Sequence, residues 1–310
     1  MIYSDAVATI ASTPVMWLDR LTSGMPSRII AKLEMRNPGG SVKDRLGVAL
    51  IDDAERNHNL ETGQTLIEAT GGNTGIGLAV VAAVRGYRLM LTMPESMSTE
   101  RIALLRQLGA DIELTPGILM TDAVRRAQEL AREISNSVLL EQFSNAANPE
   151  VHRRTTALEI LDAVKQRIDV FVCAVGTGGT ITGVGEVLKR SNPEVRIVAV
   201  EPAGAAVLSG RVPGAHKMPG IGVGFIPPVL NRAIIDDVVA VTDEDAFRTA
   251  RDLARSEGIV AGVSSGSAVH VALQLAKLAG KEGQTVLVIL PDTGERYVTT
   301  DLFQRTCPQF

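Results

Sequence analysis

Aromatic side chains are scarce: Phe, Trp and Tyr together make up 3% of the 310 residues, and there is a single tryptophan. A core assembled without them must be filled by Ala, Val, Ile and Leu, which suits an α/β protein. Cysteine is nearly absent as well. Cys173 lies in an apolar run and Cys307 among the last residues, so neither a disulfide framework nor a ligand cluster is indicated. The four histidines, His58, His152, His216 and His270, are scattered without metal-site spacing and read as structural or surface residues. No apolar run reaches the ~18 residues of a transmembrane helix, and Met1-Ile2-Tyr3-Ser4-Asp5 lacks the positive start of a secretory leader. The expectation is a cytoplasmic protein. There is no excess of basic charge either: a net charge of −4 creates no field for nucleic acid or an anionic membrane, and neither is expected as a partner.

What is present is an ordinary globular composition, 45% hydrophobic and 21% charged, in a chain long enough for two domains at about 150 residues each. Short apolar runs alternate with amphipathic stretches. Strands are expected at Ile29–Leu33, Thr65–Ala69, Arg88–Met93, Asp111–Leu114 and Val138–Leu140, with helices at Val42 to about His58, from Gly75 to about Arg85, Thr99–Leu108 and Asp122–Ile134. A polar, punctuated run over 142–149 then suggests a crossing between domains. A second series follows: helix Glu150–Arg167, strand Val170–Val175, a helix opened by Gly176–Thr180, strands Val195–Val200 and Asp237–Val241, helix Asp243–Glu257, a helix to about Ala279 and strand Thr285–Leu290. Between them, Glu201–Pro228 is rich in Gly and Pro without a period, and Arg305–Phe310 reads as a frayed tail. Such alternation predicts parallel sheets covered by helices.

Asn37-Pro38-Gly39-Gly40-Ser41-Val42-Lys43-Asp44-Arg45 sets a lysine at the start of a helix, behind a glycine-rich turn. Ser41 and Asp44 form a capping-box-like pair. A cation in the first turn opposes the helix dipole by roughly 0.3–1 kcal/mol, a penalty that vanishes when the amine is neutral. The neutral amine is the form that bonds a carbonyl carbon, so Lys43 is the candidate nucleophile, against the plain alternative of a solvated surface lysine. Three glycine-rich turns at helix starts add to it, the first two following strands. Gly176-Thr177-Gly178-Gly179-Thr180 offers backbone N–H groups and two hydroxyls to an anion. It is neither a dinucleotide fingerprint nor a P-loop, since Ile181 stands where a third glycine would be and no Gly-Lys-Ser/Thr follows. Thr70-Gly71-Gly72-Asn73-Thr74-Gly75 adds an amide that both donates and accepts, and Ser264-Ser265-Gly266 adds neutral hydroxyls, although a plain turn or an N-cap would read the same. A carbonyl-bonding lysine, a phosphate cup, an amide loop and a neutral hydroxyl together describe a site for pyridoxal phosphate.

On these motifs the chain resembles the cysteine synthase (O-acetylserine sulfhydrylase) and cystathionine β-synthase family of fold type II pyridoxal-phosphate enzymes. The similarity runs from Thr13-Pro14 to Leu290-Pro291-Asp292-Thr293-Gly294-Glu295-Arg296-Tyr297, and Asn37–Arg45 is its most specific part. The resemblance implies two three-layer α/β domains with mostly parallel sheets, as in the tryptophan synthase β fold. A small, mobile, substrate-closing domain would span 35–146, and a large phosphate-binding domain 13–34 with 147–310. It implies that Lys43 bonds the cofactor aldehyde and later serves as the base. Asn73 would meet the cofactor O3′, Gly176, Thr177, Gly178, Gly179 and Thr180 its phosphate, and Ser264 its ring nitrogen, with Ser265 the other hydroxyl in reach. Thr70, Gly71, Gly72, Thr74 and Gln142 would hold the substrate carboxylate. The activity implied is conversion of O-acetyl-L-serine and sulfide to L-cysteine and acetate, by a homodimer that in some members also binds serine acetyltransferase. Two departures stand out. Gly71 replaces the usual Ser, which opens cystathionine formation from homocysteine, or use of O-phosphoserine, as alternatives. Ala11-Ser12 replaces the Gly-Asn that often precedes Thr-Pro.

Overall fold

The apolar runs of five to seven residues form strands covered on both faces. In the computed structural model, residues 2–57, 60–61, 63–117, 120–278 and 283–303 are described. The expected helix ends at His58 and Ala279, Cys307, and the tail Arg305–Phe310 lie outside the described residues. In chain order the elements are β1 (Val15–Trp17), β2 (Arg28–Leu33), α1 (Lys43–Asn57), β3 (Thr65–Ala69), α2 (Asn73–Arg85), β4 (Arg88–Pro94), α3 (Thr99–Gln107), β5 (Asp111–Thr115), α4 (Met120–Glu133) and β6 (Ser137–Leu139). Then come α5 (Ala147–Val151), a π-turn (His152–Thr156) and α6 (Ala157–Ala163), followed by β7 (Val170–Ala174), α7 (Gly179–Ser191), β8 (Arg196–Pro202) and β9 (Asp237–Val241). The chain ends on α8 (Asp243–Asp252) with a π-turn (Leu253–Glu257), α9 (Val263–Ala276) and β10 (Thr285–Leu290).

Two sheets result. One has the order β5-β4-β3-β6 and is all parallel; the other has the order β1-β2-β10-β7-β8-β9 and is parallel except for β1, which runs antiparallel to β2. The period of two along each strand sorts side chains onto opposite faces. Ile29, Ala31, Val172, Val198 and Val288 join one core of the six-stranded sheet, while Ile30, Phe171, Cys173, Ile197 and Leu287 join the other. Leu66 and Leu91 divide from Ile67 and Ala69 in the same way in the smaller sheet. Both sheets are therefore the middle layer of three, as expected.

Beyond shifts of one or two residues at element ends, four features differ from the reading of the sequence. β1 was not expected, being a three-residue strand without a full alternation. The helix expected from Glu150 begins at Ala147 because Pro149 sits in the first turn, where its missing N–H costs nothing, and the Asn145 side chain accepts from Ala147 N at 2.8 Å. That helix ends at Ala163, with Val164 extended, four residues before Arg167. Helix α8 gives way to a π-turn that closes on left-handed Gly258. At Ala11 and Ser12, φ is +86° and +51°, so the chain adopts at two non-glycine residues the left-handed backbone that Gly and Asn tolerate best.

Candidate active site

The turns at 70–75 and 176–180 each follow the carboxyl end of a parallel strand, where α/β proteins leave a crevice for ligands, whereas Ser264–Gly266 opens α9 after the π-turn that ends α8. Lys43 is the first residue of α1, as its sequence context predicts. The capping differs from a capping box: Ser41 Oγ accepts from Lys43 N at 3.2 Å, and the Asp44 carboxylate reaches past it to Gly39 N at 2.5 Å. Burial pushes the Asp44 carboxyl up to about 7 against that bond. The turn is docked on the segment after β10, through Val42 N to Pro291 O at 2.8 Å and a bridge between Ser41 and Asp292. Lys43 is half-buried, and among the described residues its Nζ has no hydrogen-bond or ion-pair partner. Burial holds its amine below the usual lysine range, with Cys173, Asp292 and Glu34 pulling weakly the other way. Desolvation and the helix dipole thus both favour the neutral amine.

Two residues on, Arg45 is fully buried and carries two carboxylates. Its Nε and Nη2 meet Glu34 at 2.7 and 2.9 Å, and its Nη1 and Nη2 meet Glu159 of α6 at 2.6 and 2.7 Å. Lys32 Nζ adds a bond to Glu159 at 2.6 Å and one to Thr13 O at 2.6 Å. This cluster clamps the first turn of α1 to β2 and α6, so the base of Lys43 is fixed.

At Gly176–Thr180, Gly178 has φ +85° and caps α7 in the left-handed region, a conformation that suits glycine. The N–H groups of Gly176, Thr177, Gly178 and Thr180 have no acceptor among the described residues, while Gly179 N leans on Thr177 Oγ1 at 3.4 Å. The cup is supported from below: Asn148 Nδ2 donates to Thr177 Oγ1 at 3.0 Å, and Thr180 Oγ1 lies 3.2 Å from His152 Nε2. His152 is buried, its other ring nitrogen 2.9 Å from Thr156 Oγ1. Burial, reinforced by Arg45 and Lys43, holds it far below the usual histidine range, so it stays neutral.

At the other turn, Asn73 is the first residue of α2, and the N–H groups of Gly71, Asn73 and Thr74 lack acceptors among the described residues. Thr74 Oγ1 donates to Gln142 Oε1 at 2.7 Å, and Gln142 Nε2 donates to Ala69 O at 2.9 Å. Asn148 Nδ2 also donates to Gln142 O at 2.8 Å. One chain of hydrogen bonds, Thr74–Gln142–Asn148–Thr177, therefore joins the amide turn to the anion cup. Under it, burial pushes the Glu68 carboxyl up to about 8 although it accepts from Ala69 N and Gln142 N. On α9, Ser265 is sealed with its Oγ unpartnered, whereas Ser264 keeps 5% exposure.

The family described as "Pyridoxal-phosphate dependent enzyme" matches residues 8–292. A cysteine synthase of Staphylococcus aureus is 48% identical over 296 residues, which are 95% of each chain. The chain belongs to the cysteine synthase family of pyridoxal-phosphate dependent enzymes. Among solved structures, the cysteine synthase of Entamoeba histolytica superposes with TM-score 0.94 at 37% identity, covering 100% of this chain and 93% of that one. An O-ureido-L-serine synthase does so with TM-score 0.94 at 43% identity, covering 100% and 98%.

The donors present fit pyridoxal phosphate, the cofactor of this family: acceptor-free N–H groups at a helix start suit a dianionic phosphate, and an unpartnered, neutral-leaning amine suits an aldehyde. No cluster of His, Cys, Asp or Glu placed to hold a metal ion occurs among the described residues, and none of their helices is long and apolar enough to cross a membrane. Sequence reasoning missed the supporting residues Asn148, His152, Glu68, Asp292 and Arg296. Only Asp292 and Arg296 lie in a quoted motif, and nothing in the local pattern names their partners.

Proposed function

We propose that the protein makes L-cysteine and acetate from O-acetyl-L-serine and sulfide, with pyridoxal phosphate held by Lys43, Asn73, Gly176–Thr180 and Ser264. The observation that carries this reading is a Lys43 amine that has no partner among the described residues, together with two turns that keep several N–H groups without acceptors among those residues and that one hydrogen-bond chain ties together. When bound, the cofactor supplies an electron sink that makes the α-proton removable and the β-substituent a leaving group. The N–H groups of the turn 70–74, with Gln142, hold the substrate carboxylate and fix the Cα–H bond toward Lys43. Lys43, poised neutral, takes that proton and returns it to the product. Ser264, more accessible than Ser265, presents a neutral hydroxyl to the ring nitrogen and gives it no proton, which favours β-elimination over transamination. Closure of 35–146 over the rest of the chain excludes water before sulfide attacks Cβ. The acting form is a cytoplasmic homodimer.

Gly71 does not enlarge the site for homocysteine. A Cβ on Gly71 would lie 2.5 Å from both Cγ and Sδ of Met97, so the thioether already occupies that space. Sulfide therefore remains the preferred acceptor. The test is product analysis of the holoenzyme with O-acetyl-L-serine or O-phospho-L-serine as donor and sulfide or homocysteine as acceptor. Cysteine from O-acetyl-L-serine and sulfide is expected at the highest kcat/KM, and failure to form it would sink the reading.

A further inference from the structure

Asn73 stands at the start of α2, yet its amide is held by the segment that follows β10. Its Nδ2 donates to Asp292 Oδ2 at 2.7 Å, and its Oδ1 accepts from Arg296 Nη1. These two partners decide which end of the amide is which. A guanidinium only donates and a carboxylate accepts, so a flipped amide would set N–H against N–H and oxygen against oxygen. Asp292 is itself fixed. It is 2% exposed, its Oδ2 also accepts from the Tyr297 hydroxyl, and a Cβ on Gly262 would lie 2.0 Å from its Oδ1, so the wall there leaves the carboxylate no room to turn. Tyr297 is buried in turn, with Arg101 of α3 5.5 Å over its ring.

An amide nitrogen carries two hydrogens, and Asp292 engages one of them. We propose that Asp292 and Arg296 are positioning residues that lock the Asn73 amide, so that its second Nδ2 hydrogen is the one offered to the phenolic oxygen of the cofactor. The proposal rests on the role given to Asn73 above. It assigns the direction of that hydrogen bond to two side chains that act through the Asn73 amide, and it makes Tyr297 the brace of Asp292.

The experiment titrates pyridoxal phosphate into the apo forms of the full chain and its variants, reading the dissociation constant and the absorbance maximum of the bound cofactor. Asn73→Ala, Arg296→Leu and Asp292→Ala should each weaken binding by about tenfold, the scale of one hydrogen bond, and move the band the same way. Arg296→Lys, which keeps a donor, should restore both. The double variant Asn73→Ala/Arg296→Leu should be no worse than Asn73→Ala alone. Arg296 is half-buried, so Arg296→Leu carries the test if the deeper Asp292→Ala does not fold. Unchanged affinity and band in Arg296→Leu beside a changed Asn73→Ala would overturn the lock while leaving the role of Asn73 standing. No change in Asn73→Ala would overturn both.

Discussion

Lys43 joins two effects that a surface lysine would not combine: it heads a helix, and burial lowers its amine. Both lower the cost of its neutral form before any ligand arrives. Lys43→Ala removes the base and should cut kcat by about 10²–10⁴-fold from lost proton transfer alone, with little change in thermal stability, measured by cysteine formation and a melting curve. Gly71 is a residue-scale question of space. Gly71→Ser meets Cγ and Sδ of Met97 at 2.5 Å and Met93 Cβ at 3.2 Å, so it should cost about 1–3 kcal/mol in denaturant unfolding, the scale of overpacking. At Ala11 the left-handed backbone strains a Cβ, and Ala11→Gly should stabilise the fold by about 1 kcal/mol in the same measurement.

Among the elements, α1 shows how the candidate nucleophile is held through its neighbours. Arg45 pins the first turn of the helix against Glu34 and Glu159, and truncating it leaves two carboxylates facing a buried gap. Arg45→Ala should cost about 3–5 kcal/mol of stability, read as a lower denaturant midpoint. Most of the elements themselves were legible in the sequence. Thr65–Ala69, Asp237–Val241 and Thr285–Leu290 match residue for residue, because each is a short run rich in aliphatic and β-branched residues set off by polar or turn residues. The π-turns at His152–Thr156 and Leu253–Glu257 were not, since one extra residue in a turn hardly disturbs a helical period. The three ligand turns were found by their glycines, but their supports were hidden. The bond from Asn73 to Asp292 spans 219 residues, and no local pattern encodes such a pairing.

For the whole molecule, one half-buried carboxyl and one buried carboxyl bound the pH range of stability from opposite sides. Burial would raise Glu159, but hydrogen bonds and charge from Arg45 and Lys32 outweigh it and bring the group down to about 2 from 4.5. Its contribution is present above about pH 4.5 and is lost as pH falls toward 2, so Glu159→Gln should flatten the acid limb of a plot of melting temperature against pH. Glu68 has the reverse sign. Burial raises it to about 8, so its contribution is complete below pH 4.5 and is lost as pH rises through 8, which steepens the alkaline limb. The most direct test of the central claim is borohydride reduction of the cofactor-loaded protein, followed by peptide mass mapping. The account predicts a reduced pyridoxyl phosphate adduct on Lys43, absent from Lys43→Ala; a protein that takes up no cofactor, or an adduct fixed to another lysine, would contradict it.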